Sequence, residues 1–372
     1  MSVSPKQTMI CWKICIPLLL CAITTGICQQ PLNNIDSLVE QIEFQQDDTF
    51  KVNTLLHLTK AYKQSDVDRA GEYCNRMYDL SRELGFLPGI VDALTLRSEI
   101  LINTGNFDSA RQVSTDAIRL SDSLKDPARL ARNYQNFGNI IYMTESPANA
   151  YEYYKKSLAI SEEAADFFGI ASSLNLIGSV FLSEAMYDSA MHYYFKMFRI
   201  CEKKNYEEIL LKGYINVGLA YFELKEYDKA SHYLTQSISL SRKFNKQLFL
   251  SLGYLYLGHI FRIRAEYDSA LANYTRVTEI NKKIDNHIGI GDGYVSLGNI
   301  SLDQKNSDQA YNYFKLAKHY YKIAEYNQGL LLAYINEGNV FKERRMYDKA
   351  LVIFDSCLIL AEDLGLLSRL KE

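Results

Sequence analysis

Neither sign of charge dominates this sequence. It carries 41 Lys and Arg against 44 Asp and Glu, a net of -3. No run of Lys or Arg is long enough to form a polyanion patch, which argues against nucleic acid as a partner. There is no C-x-x-C and no Cys/His cluster, so neither a metal site nor a cofactor is expected. G-x-S-x-G, H-E-x-x-H, Walker and EF-hand patterns are also missing, and the chain is not expected to be an enzyme. "GIGDGYVSLG", Gly289 to Gly298, does not satisfy G-x-G-x-x-G, because Tyr294 and Ser296 stand where glycines are needed. It reads as an inter-repeat turn entering a helix.

Four of the seven cysteines, Cys11, Cys15, Cys21 and Cys28, lie in the first 28 residues. Cys74, Cys201 and Cys357 remain, odd in number and far apart, which excludes a disulfide framework and leaves three small hydrophobes. The N-terminus supplies Lys6 and Lys13 without an acid and then "ICIPLLLCAITTGIC", Ile14 to Cys28. That is the pattern of a secretory signal peptide over residues 1–28, predicting an exported protein, periplasmic or secreted. The apolar run is about 14 residues and Pro17 interrupts it, against roughly 20 for a spanning helix, so a membrane anchor is the weaker reading. Ile27 before Cys28 does not suit lipidation.

What the chain has in quantity is repetition. "YDSA" occurs at Tyr187 and Tyr267, and "YDKA" at Tyr227 and Tyr347, intervals of 40, 40 and 80 residues. In blocks of 40 the sequence gives eight units: 51–90, 91–130, 131–170, 171–210, 211–250, 251–290, 291–330 and 331–370. Alanine holds one place in all of them, from Ala70 and Ala110 to Ala350. Twelve residues earlier stands Gly138, Gly178, Gly218, Gly258, Gly298 or Gly338, with Leu58 and Ser98 in the first two units. Small side chains at fixed places mark where two helix backbones approach.

Each block holds two apolar series at helical spacing, such as Tyr214, Val217, Tyr221, Leu224 and then Ala230, Leu234, Ile238. Asp228 and its equivalents Asp108, Asp188, Asp268, Asp308 and Asp348 fall at the start of the second helix, where an acid meets the positive end of the helix dipole. The tetrapeptide is therefore a helix-start signal. A lead-in helix is predicted from Pro31 to about Gln45 within a capping segment, 29–50. The sequence closes on "LSRLKE" with no further polar helix, which predicts an open apolar end: either the chain continues into a further segment, or a partner or second copy covers that face.

The order aromatic, "LG", aromatic, small Ala, aromatic, as in Tyr254, Leu257, Gly258, Phe261, Ala270 and Tyr274, resembles the tetratricopeptide repeat in a 40-residue form. The resemblance implies an all-α fold, an α-solenoid of eight helix pairs winding as a right-handed superhelix with a concave groove. Gln45 to Gly85 is similar to the opening of secreted repeat regions in some bacterial sensor histidine kinases and transcriptional regulators. That likeness implies a stand-alone relative or a shortened sensor, without kinase activity.

In such repeats first-helix polar residues near the glycine hold an extended peptide. Those places carry Asn136, Asn139, Asn216, His259, Asn299, Asn336 and Asn339, with Arg132 and Lys212 six before the glycine and Arg262 in the sixth unit. An asparagine amide donates and accepts, matching a peptide backbone, and Arg or Lys can hold a carboxylate. The alternative is that these side chains are solvated or bond the adjacent helix. Most of the 28 tyrosines fall on repeat positions and read as packing rather than a stacking platform, and the six scattered histidines do not suggest a metal. Two functions remain: an exported scaffold holding a protein or peptide in the groove, or a sensory input module that passes its signal to an output protein.

Overall fold

A computed structural model of the chain describes residues 32–63 and 66–363. The predicted signal peptide and the closing "LSRLKE" lie outside the described residues.

The described residues form seventeen α-helices and no strand. α1 (Leu32–Ile42) precedes eight pairs: α2 (Thr49–Tyr62) with α3 (Val67–Glu83), α4 (Leu87–Asn103) with α5 (Phe107–Leu124), α6 (Pro127–Thr144) with α7 (Pro147–Glu163), and α8 (Phe167–Ser183) with α9 (Tyr187–Lys204). They continue as α10 (Glu207–Glu223) with α11 (Tyr227–Lys243), α12 (Gln247–Ile263) with α13 (Tyr267–Lys283), α14 (His287–Asp303) with α15 (Ser307–Ile323), and α16 (Asn327–Glu343) with α17 (Tyr347–Asp363). This is the helix-pair repeat of the tetratricopeptide type. Pairs start ahead of the 40-residue blocks, α6 at Pro127 rather than at 131, because the backbone resets one turn earlier.

That reset has a simple cause. Positive φ recurs at Gly85, Gly105, Lys125, Ala165, Ala185, Asn205 and so on to Arg345, at intervals of twenty residues with a gap at Glu145. One left-handed residue after a helix ends it and releases the next. Only Gly85 and Gly105 take this conformation without steric cost. Ala165 (φ 52°), Ala185 (56°) and Ala265 (59°) have no side-chain group to offset it. Changing any of these three to Gly is expected to stabilise its repeat by about 0.5–1 kcal/mol, read as slower amide exchange in the flanking helices; unchanged exchange would show the turns unstrained.

Helix starts follow two chemistries. Asp48, Asp66, Asn106, Asp126, Ser146 and Asp166 cap by accepting from backbone N–H groups. α9, α11 and α13 follow Met186, Glu226 and Glu266, which make no side-chain cap, and carry Asp188, Asp228 and Asp268 in the first turn instead. Two of the repeated acids also tie repeats together: Arg264 reaches Asp228 at 2.5 Å and Arg344 reaches Asp308 at 2.6 Å. These exposed pairs add little stability.

Packing within a pair turns on one contact. The side chain sixteen residues after the small first-helix position lies over it: Tyr154 on Gly138, Tyr194 on Gly178, Leu234 on Gly218, Tyr274 on Gly258, Phe314 on Gly298, Phe354 on Gly338. A Cβ on any of these glycines would sit within 3 Å of that side chain. In the second pair of helices the place is shared by Ser98 and Ser114, whose hydroxyls meet at 2.5 Å, and in the first by Leu58 and Cys74, both buried. The bulk at this place can come from either helix, from Tyr, Phe or Leu over Gly or from Leu58 beside Cys74, and it is least where Ser98 meets Ser114.

The chain divides into two compact units at Asn216, inside α10. In the first, Ile35, Leu38 and Ile42 of α1 pack on a core containing Val52, Leu55, Leu58, Cys74 and Met77, so α1 covers the first repeat. Successive first helices touch, α2 with α4, α4 with α6, and α6 with α8. In the second unit α12 touches α14, and α14 touches α16. Its core includes Val295, Ala310, Phe314, Tyr321 and Val340. Gly289 to Gly298 is not a turn but lies inside α14, where Asn281, Tyr321, Thr278 and Phe314 fill the spaces beside Gly289, Gly291, Gly293 and Gly298. The turn itself falls at Asp285.

Candidate functional site

In the first unit the first helices meet through polar side chains. Glu99, fully buried on α4, is gripped from both sides: Lys63 at the end of α2 bonds one carboxylate oxygen, and Arg132 of α6 donates to the other at 2.8 Å. Asn136 Nδ2 approaches the same oxygen at 3.4 Å. Burial alone would push the Glu99 carboxyl up, but Arg132 and Lys63 hold it down at about 2. Two turns earlier on α4, Asp92 accepts both arms of Arg129, at 3.0 and 2.8 Å, and Asp126 binds a third nitrogen of the same guanidinium. Lys60, half-buried on α2, lies within the field of Arg132, Asp92, Glu99 and Lys63. Burial and the Arg132 charge hold its ammonium down at about 8.

Farther along the unit the contacts become neutral. Gln135 donates to Ser173 at 2.9 Å and accepts from Ser172 at 3.1 Å. Asn133 accepts from Thr95 and donates to Ser121, both at 2.8 Å.

The predicted groove residues distribute unevenly over this layer. Arg132 and Asn136 converge on Glu99. Asn139 is 2% exposed; its Oδ1 accepts from Tyr154 at 2.8 Å, and its Nδ2 has no hydrogen-bond partner among the described residues. Asn216, 3% exposed, donates to Ser179 at 3.2 Å, and Lys212 is buried. The three asparagine amides are thus turned toward neighbouring helices, the arrangement that favours inter-helix bonding over open groove contact. Asn175 Oδ1 on α8 is likewise buried without a partner among the described residues.

In the second unit His259 is half-buried, with Nδ1 2.7 Å from Tyr274 Oη and its ring among Tyr256 and Phe222. Burial and the Arg262 charge hold the imidazole down at about 3, so it is neutral at physiological pH. Arg262 forks onto Asp303 at 2.5 and 3.1 Å. Asn299, Asn336 and Asn339 are half-buried on α14 and α16, and Asn336 Nδ2 lacks a partner.

Lys60, Lys63, Asp92, Glu99 and Arg129 lie outside the groove positions expected from the repeat. A signal was present: Glu99 interrupts the apolar "LTLRSEILI", and Lys60/Lys63 and Arg129/Arg132 each sit three apart, on one helix face.

Asp292, half-buried on α14, is a different case. Tyr321 donates to it at 2.6 Å, yet burial pushes its carboxyl up to about 6. A raised folded value means a contribution fully present below the unfolded value near 3.8 and lost as pH rises through about 6. Asp292→Asn is therefore expected to raise stability by up to about 3 kcal/mol at pH 8 and to leave it nearly unchanged near pH 4. Thermal unfolding at both pH values measures this, and an equal effect at the two would exclude the titration.

Among the described residues no three His, Cys, Asp or Glu side chains come together as metal ligands, and no helix is long and apolar enough to cross a membrane. Cys74 and Cys201 are buried free thiols, Cys357 a half-buried one. Tyr154, Tyr194, Tyr274 and Tyr321 are fully buried between helices.

Comparison with known proteins agrees with this architecture. The family described as Tetratricopeptide repeat matches residues 211–244. No curated protein sequence matches the chain significantly. Among solved structures it is similar to a Rap protein complexed with Competence and Sporulation Factor, at 13% identity over 96% of this chain and 99% of that one, TM-score 0.62. It is also similar to aspartyl phosphate phosphatase F from Bacillus subtilis, at 15% identity over 97% and 95%, TM-score 0.58. A STAND protein with a tetratricopeptide repeat sensor from Pyrococcus horikoshii gives 14% identity over 95% of this chain and 53% of that one, TM-score 0.64. At such identities the shared property is the fold.

Proposed function

We propose that the chain is a non-enzymatic scaffold that binds an extended peptide or a partner-protein segment on the first-helix layer. The observation that carries this is the polar character of that layer in the first unit. A helix interface with no further role is best filled with apolar side chains, since buried ion pairs add little or negative stability against hydrophobic replacements. Here α2, α4 and α6 keep charged groups, with unpaired amide atoms of Asn139 and Asn175 beyond them. The fold's likeness to a Rap protein complexed with Competence and Sporulation Factor supports the same reading.

The test is retention of a pool of random heptapeptides by the immobilised chain, followed by hydrogen exchange with the peptides recovered. Selective retention with slowed exchange in α2, α4, α6 and α8 is expected. No retention above a blank surface would sink the proposal, and protection confined to second helices would move binding off this layer.

A sensory input module is the second reading, supported by the likeness to a protein with a tetratricopeptide repeat sensor. It predicts exchange changes in α14 to α16 on peptide binding, well beyond the contact; a scaffold predicts local protection only. Export, supported by the leader at residues 1–28, belongs to the same proposal, and an N-terminus found at Met1 in the native protein would remove it. So does self-association through α17, where Leu351, Val352 and Ile359 are at least 60% exposed. A sedimentation coefficient independent of concentration would exclude that element.

A further inference from the structure

The fourth repeat carries a stack of three rings. Phe181 of α8 lies face to face with Tyr193 of α9, ring centres 5.3 Å apart and planes 8° from parallel. Tyr151 of α7 meets the same Phe181 edge-on at 5.6 Å and 70°, and its hydroxyl interacts with that of Tyr193. The fifth repeat keeps the face-to-face pair as Tyr221 and Tyr233, 5.7 Å apart at 15°. Tyrosine recurs at this second-helix place as Tyr73, Tyr153 and Tyr313.

The eighth repeat has two of the three rings. Tyr311 of α15 meets Phe341 of α16 at 5.4 Å and 60°, much as Tyr151 meets Phe181. Twelve residues after Phe341, where Tyr193 follows Phe181 and Tyr233 follows Tyr221, stands Ile353. A cavity of about 330 Å³ opens there, with Phe341, Tyr311 and Ile353 among its walls.

The remaining walls also depart from the repeat. Glu337 stands where the five preceding repeats have Phe137, Ile177, Val217, Leu257 and Leu297, and it is buried and paired with Lys318. Val352, 63% exposed, stands where they have Glu152, His192, His232, Ala272 and Asn312. Those five are exposed although another helix pair follows each of them, so stacking of a further repeat would leave Val352 uncovered. Exposed Asp348 and Lys349 complete the wall, the Lys349 ammonium 6.0 Å from the centre of the Phe341 ring.

We infer that this cavity binds a phenol ring, carried by the tyrosine side chain of a partner chain or by a free phenolic compound. The ring would lie on Phe341 as Tyr193 lies on Phe181, and its hydroxyl would meet Tyr311 as that of Tyr193 meets Tyr151. Stacking on Phe341 calls for a planar π face. Glu337 and Asp348 can only accept when ionised, which suits a neutral O–H donor and opposes an aromatic carboxylate. The site belongs to α15, α16 and α17 and does not depend on the peptide function proposed for the first unit.

The probe is p-cresol, the tyrosine side chain as a free molecule, titrated into the full chain with 13C-labelled Ile, Leu and Val methyl groups and followed by NMR. The Ile353 and Val352 signals are identified by their loss in Ile353→Leu and Val352→Thr. Saturable shifts of both are expected. Ile353→Tyr supplies the third ring from the chain itself, so binding judged from Val352 should weaken at least about tenfold, while slower amide exchange in α16 and α17 shows the variant to be folded. Phe341→Leu retains an apolar side chain but removes the π face, and should weaken binding at least about threefold. 4-Methylcyclohexanol, which lacks the π face, and 4-methylanisole, which lacks the donor, should each bind at least about threefold more weakly than p-cresol.

A linear, unsaturated response, or equal saturation in Ile353→Tyr and Phe341→Leu, would overturn the site. Equal affinity for 4-methylcyclohexanol, or tighter binding of 4-methylbenzoate, would overturn the phenol assignment. The peptide Gly-Gly-Tyr-Gly-Gly, acetylated and amidated, then distinguishes the carriers of a confirmed site. Tighter binding than p-cresol, with shifts spreading to Leu351, identifies a tyrosine side chain, and exclusion of the peptide while p-cresol saturates identifies a free phenol.

Discussion

Replacing Glu99 with glutamine is expected to destabilise the first unit by about 3–5 kcal/mol, the range for breaking a buried ion pair and stranding its partner. Glu99 has no exposed surface, and neither has the ammonium stem of Lys63, at 1%. The amide would keep an acceptor for one cation but leave Lys63 and Arg132 facing each other without the negative charge between them. Removing Lys63 as well, as Lys63→Met with Glu99→Gln, should recover most of the loss because the stranded charge is gone. Urea unfolding followed by amide exchange in α2, α4 and α6 measures both variants. A loss below about 1 kcal/mol for Glu99→Gln would show that water reaches the pair.

The same carboxylate supplies a pH dependence of definite sign. Its folded value is near 2 and its unfolded value near 4.5, so its stabilisation is complete above 4.5 and is lost as pH falls toward 2. Glu99→Gln should flatten this part of the acid-unfolding curve. The effect is opposite to that of Asp292, whose raised value costs stability on the alkaline side. The contrast has one cause: two cations bracket Glu99, whereas the hydroxyl that bonds Asp292, from Tyr321, is neutral.

The second large effect is expected at the paired position of α6 and α7. Gly138→Leu drives a side chain into the Tyr154 ring, whose nearest atom would stand 2.5 Å from a Cβ, and should cost at least about 1–3 kcal/mol through overpacking. Tyr154→Cys removes a fully buried ring and its hydrogen bond to Asn139, and should cost about 3–5 kcal/mol. The double variant reproduces the Leu58 and Cys74 pair of the first repeat and should lie at least about 2 kcal/mol above the sum of the singles. Additive losses would mean that volume sharing across this contact does not govern the fit. Because repeat arrays can unfold piecewise, exchange resolved to α6 and α7 is the appropriate readout.

The repeated glycine reads as a close approach of two helices from sequence alone, and so it proves. The aromatic that fills the gap sixteen residues on is less legible, since its meaning depends on two helices lying antiparallel at a fixed offset. Likewise "YDSA" announces a helix start by local chemistry, whereas the arginine 36 residues later that meets its acid, as Arg264 meets Asp228, is a consequence of stacking. The Gly289–Gly298 stretch inverts the usual expectation. Four glycines suggest a turn, and only the bulky neighbours placed over them keep the segment helical.

The polar residues of the first helices divide in the same way. Sequence spacing placed Arg132, Asn136, Asn139 and Asn216 on one layer of successive helices, because a 40-residue period with helical spacing fixes which face each presents. Their partners could not be derived from that spacing. Whether an asparagine amide faces a groove or a neighbouring helix depends on the distance between first helices, which tertiary packing sets; it left Asn136, Asn139 and Asn216 almost without exposed surface. Period, helix pairing and the small-residue contact were thus determined by the sequence itself, through local backbone preference and side-chain volume. Only the tertiary structure decided that Glu99 would be enclosed by two cations while, among the described residues, no carboxylate pairs with Lys60. Electrostatic balance is a property of groups brought together across 30 to 40 residues of chain, and no local pattern records it.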